Sequence, residues 1–167
     1  MKQRIRFSFL IALAASIFIF SSCKKDTGIN NNTNTAGLMA FNLIPDSSSS
    51  VGFLISGNLL TNSPLAFSNY TGNYLPVYSG TRDVQLINAS DDSVHATTSY
   101  TFAPTRYYSL FALGANGHYS NLIVNDDLDS LSATSDSAFV RYINAIPDST
   151  RPTVTFSSNG TNVIDEP

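Results

Sequence analysis

Residues 42–57 and 144–160 spell one strand-turn-strand unit twice, and that unit points the chain towards a β fold before anything else is read. The first copy runs Asn42-Leu43-Ile44-Pro45-Asp46-Ser47, then a polar run, then Val51, Phe53 and Gly57. The second runs Asn144-Ala145-Ile146-Pro147-Asp148-Ser149, then a polar run, then Val154, Phe156 and Gly160. Asn42 to Asn144 is a step of 102 residues and Val51 to Val154 a step of 103, so the second copy carries one extra residue in its turn. The Ile-Pro step removes a backbone donor and holds the preceding residue extended, which ends a ladder. Asp148 and Ser149 suit a turn, because their short polar side chains bond nearby backbone N–H groups. Asn42 and Asn144 read as strand-end residues that satisfy backbone groups, not as site residues. Val154 and Phe156 alternate as a returning strand does, and Asn159-Gly160 supplies the next tight turn.

The same texture continues between the copies. Short runs rich in Tyr, Phe, Val and Ile alternate with turn signals at intervals of about ten residues, and no stretch keeps a helical period. Strands are predicted at 37–44, 51–56, 73–78, 82–88, 96–102, 106–113, 118–124, 138–145 and 153–157. Ser79-Gly80 predicts a hairpin between Tyr74–Tyr78 and Val84–Ile87. Asn116-Gly117 favours the positive φ angles of a tight turn between 106–113 and 118–124. Tyr107 to Leu113 is apolar on both faces, as a central strand is, and residues 58–72 are the expected long loop. The fold class that follows is all-β, an antiparallel β-sandwich of immunoglobulin-like or transthyretin-like type.

The repeated strand-Asn-x-Ile-Pro-Asp-Ser pattern resembles the bacterial domain of unknown function 4397. Further resemblance lies in Arg106-Tyr107-Tyr108-Ser109-Leu110-Phe111-Ala112-Leu113-Gly114 and in Leu122-Ile123-Val124-Asn125-Asp126-Asp127-Leu128. It covers about residues 36–160. The resemblance implies an exported or surface-anchored bacterial protein, often with tandem copies, and it brings no catalytic residues with it.

Upstream, Lys2, Arg4 and Arg6 form a positive start, and Phe7 to Phe20 is an uncharged apolar run. As a helix its fourteen residues span about 21 Å against roughly 30 Å of bilayer hydrocarbon, too short for a lasting transmembrane anchor. The run ends in Ser21-Ser22-Cys23, which resembles a bacterial lipoprotein signal, with Phe20 where leucine is usual. Residues 1–22 are therefore expected to be a cleaved signal peptide, and Cys23 the lipidated first residue of the mature chain. Cys23 is the only cysteine, so no intramolecular disulfide forms. Several acyl chains on one residue give stable attachment, at about 0.8 kcal/mol per buried CH₂. No aspartate follows Cys23 directly, which favours the outer membrane over inner-membrane retention, with exposure at the cell surface in keeping with Lys24-Lys25-Asp26. Residues 23–36 bury too little apolar surface to order themselves and read as a flexible tether. Residues 37–137 then form the sandwich unit, and 138–167 an incomplete second repeat. Either strand 138–145 also serves the first sandwich or the sequence is a piece of a longer protein. The expectation is that the repeat docks on the first unit. An unfinished unit leaves strand edges, which recruit partners.

Loss of Lys2, Arg4 and Arg6 moves the net charge from −3 to −6. The remaining basic residues are scattered, which argues against a nucleic-acid partner. His95 and His118 stand in separate contexts and read as surface residues. No nucleophile elbow, phosphate loop, H-E-x-x-H or CxxC pattern occurs. No enzyme, cofactor or metal is expected. Asp126, Asp127 and Asp129 lack calcium-loop spacing and read as a solvated turn. Tyr70, Tyr74 and Tyr78 recur every fourth residue, and Tyr74 and Tyr78 are candidate ligand-contact aromatics on one strand face, able to stack on sugar rings. Asp-Ser steps at Ser93, Ser130, Ser137 and Ser149 resemble a short O-glycosylation pattern, although Asp-Ser is also ordinary turn chemistry. The expected function is a lipid-anchored envelope module with a non-catalytic binding or structural role, meeting an envelope or extracellular protein or glycan. The rival is an accessory protein that binds or processes glycans.

Overall fold

The computed structural model describes residues 34–46, 50–131, 139–148, 150–158 and 161–166. Ten strands are defined there: β1 (Thr35–Asn42), β2 (Val51–Ile55), β3 (Asn58–Leu59), β4 (Leu75–Tyr78), β5 (Gly80–Asn88), β6 (Val94–Phe102), β7 (Tyr107–Ala115), β8 (His118–Asn125), β9 (Val154–Ser158) and β10 (Thr161–Glu166). Two four-stranded sheets carry the domain, in the orders β4-β1-β7-β8 and β3-β2-β5-β6. All pairings are antiparallel except β1 with β7, which run parallel from Gly37–Tyr107 to Asn42–Ala112. The β-sandwich expected from the alternation is present.

The period of two explains why the sheets pack. Along β1 the residues Ala36, Leu38, Ala40 and Asn42 point inward and are buried, and the residues between them do not. Tyr108, Leu110 and Ala112 of β7 face the same interior. From the second sheet Val51, Phe53 and Ile55 of β2, Val84 and Leu86 of β5 and Phe102 of β6 close it. Tyr100, Phe102 and Tyr108 meet at centroid distances of 5.1–5.6 Å with tilted or edge-on rings, a geometry aromatic pairs favour. Asn121 of β8 ties the layers together by donating its Nδ2 to the Val84 carbonyl at 3.1 Å.

Two tight turns follow their residue chemistry. Asn116 (φ 53°) and Gly117 (φ 83°) join β7 to β8, and both positive angles are those of a type I′ hairpin turn. Asp46 of the first repeat copy accepts the Asn116 N–H at 3.0 Å and the Tyr119 hydroxyl at 2.7 Å, and so braces that turn from 70 residues away. Asn42, fully buried, accepts the Ile44 N–H at 3.0 Å and donates to the Leu65 carbonyl at 2.9 Å. Asn144 repeats this with the Ile146 N–H at 3.0 Å and the Thr150 carbonyl at 3.1 Å. Asn42 is thus the strand-end tie read from the sequence, and Asn144 makes the same pair of backbone bonds where no strand forms.

Two expectations are corrected. Ser79-Gly80 does not close a hairpin: β4 pairs with β1 in the first sheet, and β5 pairs with β2 and β6 in the second. The chain changes sheets at this corner, and Arg82 caps it by donating to the Tyr78 and Ser79 carbonyls at 3.2 and 2.7 Å. Nor do residues 139–145 form the predicted strand; they have no ladder partner among the described residues. A strand needs neighbours, and the matching β1 finds its own in β4 and β7, both later in the chain. What the second copy does form is the β9–β10 hairpin, a separate two-stranded sheet equivalent to β2–β3.

Candidate functional site

Because Leu38 and Ala40 of β1 and Tyr108, Leu110 and Ala112 of β7 face the core, Gly37, Met39 and Phe41 and Tyr107, Ser109 and Phe111 face outward on the first sheet. Ser109 and Phe111 are nonetheless buried, so this outer face is covered. Two groups of residues cover it.

The first is a polar network at the end of β8. Asp126 donates its backbone N–H to the Tyr107 carbonyl at 2.9 Å, extending the ladder by one bond, and its side chain is only 5% exposed. A buried carboxylate is costly without hydrogen bonds and a cation. Ser109 Oγ donates to it at 3.0 Å, Tyr74 donates its hydroxyl to Oδ2 at 2.9 Å, and Arg141 pairs with Oδ1. A second guanidinium nitrogen of Arg141 donates to the Asn125 carbonyl at 3.1 Å. Burial first, and then the bond to Asp126, pushes the Tyr74 hydroxyl up to about 12. Tyr74 also meets Tyr107 edge-on at 4.9 Å, over Gly37, where an added Cβ would lie 2.6 Å from the Tyr107 ring.

The second is aromatic. Tyr70 stacks on Phe41 at 5.4 Å, and Phe41 on Phe111 at 4.9 Å. The loop carrying Tyr70 is stitched to β1 and β2 by bridges Phe41–Tyr70 and Val51–Leu65. Beside it a groove of about 460 Å³ runs between Leu43, Pro45, Phe67 and Ser68 and residues 142–147 of the second repeat copy. A second groove, of about 300 Å³, opens where β3 and β4 approach, lined by Leu59, Leu60, Pro76, Tyr78 and Arg82 among others.

The residues singled out from sequence are thereby dispersed. Tyr74 is half-buried and engaged, whereas Tyr78 is 73% exposed at the second groove, so the two do not form one platform. Ser93 and Ser130 are exposed, with hydroxyls donated to Asp91 Oδ1 at 2.7 Å and to the Asp127 carbonyl at 2.9 Å. Cys23, Ser137 and Ser149 lie outside the described residues, as do the leader and nearly all of the tether. The Asp126–Asp129 stretch is corrected from a solvated turn: Asp126 is buried against Arg141, while Asp129 pairs with Arg106 on the surface. Sequence reasoning missed the Asp126–Arg141 tie. Its one local signal is a serine at position 109 amid apolar neighbours on a central strand.

His95 lies 4.3 Å from the Tyr119 ring, and His118 starts β8, at the opposite end of that strand from Asp126. Among the described residues no group of His, Cys, Asp and Glu is arranged to hold a metal, and no helix is long and apolar enough to cross a membrane. The arrangement holds a guanidinium firmly and offers apolar and aromatic surface beside it.

A family model for a domain of unknown function (DUF4397) matches residues 36–157. The chain belongs to this family. No curated protein matches it.

Proposed function

We propose that this chain is a lipid-anchored module of the bacterial cell envelope, held in the outer membrane through Cys23 and acting by binding or structural support without catalysis. The observation that carries the reading is the succession of basic start, short apolar run and Ser21-Ser22-Cys23, ahead of a polar tether and a β-sandwich. The site geometry agrees with a binding role, since Tyr74, Ser109, Asp126 and Arg141 satisfy one another instead of presenting a free nucleophile and base. Exposed Phe67 and Tyr70 beside the larger groove give a partner aromatic surface to cover. In fractionated cells the wild type is expected in the outer-membrane fraction, and Cys23→Ala in the soluble fraction. Equal membrane attachment of both would overturn the anchor.

A glycan-binding or glycan-processing accessory role is the second reading. Tyr78, 73% exposed at the second groove, favours it, since an accessible aromatic ring offers a face on which a sugar ring can stack. On that reading Tyr78→Ala lowers retention on envelope polysaccharide at least about tenfold, a loss of about 1.4 kcal/mol. Unchanged retention removes it.

A further inference from the structure

The repeat register sets Arg141 at the position of Met39, and Val140, Tyr142 and Ile146 at those of Leu38, Ala40 and Ile44. In the first copy those last three positions are 0% exposed; in the second they are 68%, 44% and 46% exposed. Residues 139–146 therefore carry the inward apolar alternation of a core strand, yet lie on their own sandwich with no ladder partner among the described residues. Arg141 ties them down, on Asp126 and the Asn125 carbonyl.

Insertion of this segment into the β1 slot of another copy is sterically disfavoured. Phe139 would stand where Gly37 stands, a place too tight even for a Cβ, and Tyr142 would replace the wholly buried Ala40. The place that fits is the polar site on the outer face. There a carboxylate 5% exposed, supported by the neutral hydroxyls of Tyr74 and Ser109, requires a cation, and the neighbouring Asn125 carbonyl takes the second nitrogen of a guanidinium.

We propose that Asp126, Ser109, Tyr74 and the Asn125 carbonyl form a guanidinium receptor for the leading segment of the repeat, filled within one chain by its own Arg141 and between chains by Arg141 of a second copy. Charge complementarity selects the occupant. Reciprocal exchange keeps both ion pairs, so neither buried carboxylate loses its cation. The inference stands apart from the lipid anchor, and it shares residues 142–147 with the larger groove.

The test uses the full chain and a synthetic peptide spanning 137–150. Arg141→Ala, with its receptor open, is expected to bind the peptide at least tenfold more tightly than wild type, whose receptor is filled. A peptide with alanine for Arg141 is expected not to bind, nor the natural peptide to Arg141→Ala combined with Asp126→Asn. Wild type is expected to dimerise with rising concentration, and Arg141→Ala to stay monomeric. Equal binding by both forms of the chain, or by both peptides, overturns the receptor. Wild type that stays monomeric throughout overturns the exchange. The peptide comparison leaves Asp126 intact, so it holds even where Asp126→Asn fails to fold.

Discussion

At the scale of single residues, the outer face turns on a carboxylate that would be costly in its position without its partners. Asp126 is tolerated there because Ser109, Tyr74 and Arg141 meet it from β7, from the approach to β4 and from the second repeat copy. Tyr74 reports on this network through pH. Its proton is held up to about 12 in the folded chain, against about 10 when unfolded, so the folded state keeps the proton longer. That contribution is fully present below about pH 10 and is lost as pH rises through about 12. Tyr74→Phe is therefore expected to flatten the fall in unfolding free energy between those values, and to cost about 1 kcal/mol at neutral pH through the lost bond. Denaturant titrations across that range check it. An unchanged alkaline slope would place the raised proton affinity elsewhere, Tyr100 and Tyr119 also being shifted upward, by burial and by the bond to Asp46 respectively. Nothing in the sequence near Asp126 announces this. The arginine arrives 15 residues later, from a segment whose own pattern predicts a strand.

At the scale of elements, legibility divides by how local the cause is. β2, β5, β6, β7, β8 and β9 were readable because their signals are local, β-branched and aromatic runs bounded by turn residues. The β7–β8 hairpin was readable because Asn116-Gly117 demands its backbone angles. The parallel β1–β7 pair was not, since a strand's residues do not name its neighbour. Ser79-Gly80 misled because a glycine with φ of 93° serves a corner between sheets as well as a hairpin. The β7–β8 hairpin also carries a sharp constraint one step before its turn. Gly114 has φ of 112°, and an added Cβ would lie 2.0 Å from the His118 carbonyl oxygen. Gly114→Ala is expected to destabilise the domain by about 3 kcal/mol, from strain and the forced shift of backbone. Gly57→Ala is the control: it shares a positive φ but has open space around it, so about 1 kcal/mol is expected. Thermal unfolding of the two variants compares them directly. Equal losses would mean that the hairpin adjusts without cost.

For the whole molecule, the sandwich accounts for one copy of the repeat and leaves the other on its surface. The first copy and the residues flanking it supply β1, β2 and β3, built into both sheets; the second supplies a segment that lies on the outer face and a hairpin that, among the described residues, joins neither four-stranded sheet. The same Ile-Pro-Asp-Ser words therefore do different work. Asp46 braces a distant turn, whereas Asp148 bonds Thr150 locally, because only the first copy has the other strands around it. Fold class and the backbone-tying role of Asn42 and Asn144 were thus legible from sequence, while the outer-face site was not, because it exists only where two distant parts of the chain meet. On the proposed reading, this domain is exported, cut before Cys23 and held at the membrane by lipid, with its grooves open to partners. The most direct measurement is the intact mass of the chain extracted from membranes. The expected mass is that of a polypeptide beginning at Cys23 plus its acyl chains, with any hexose on Ser93, Ser130, Ser137 or Ser149 appearing as further increments. A mass that fits an unmodified chain, or one beginning at another residue, would contradict the lipid anchor and the envelope role built on it.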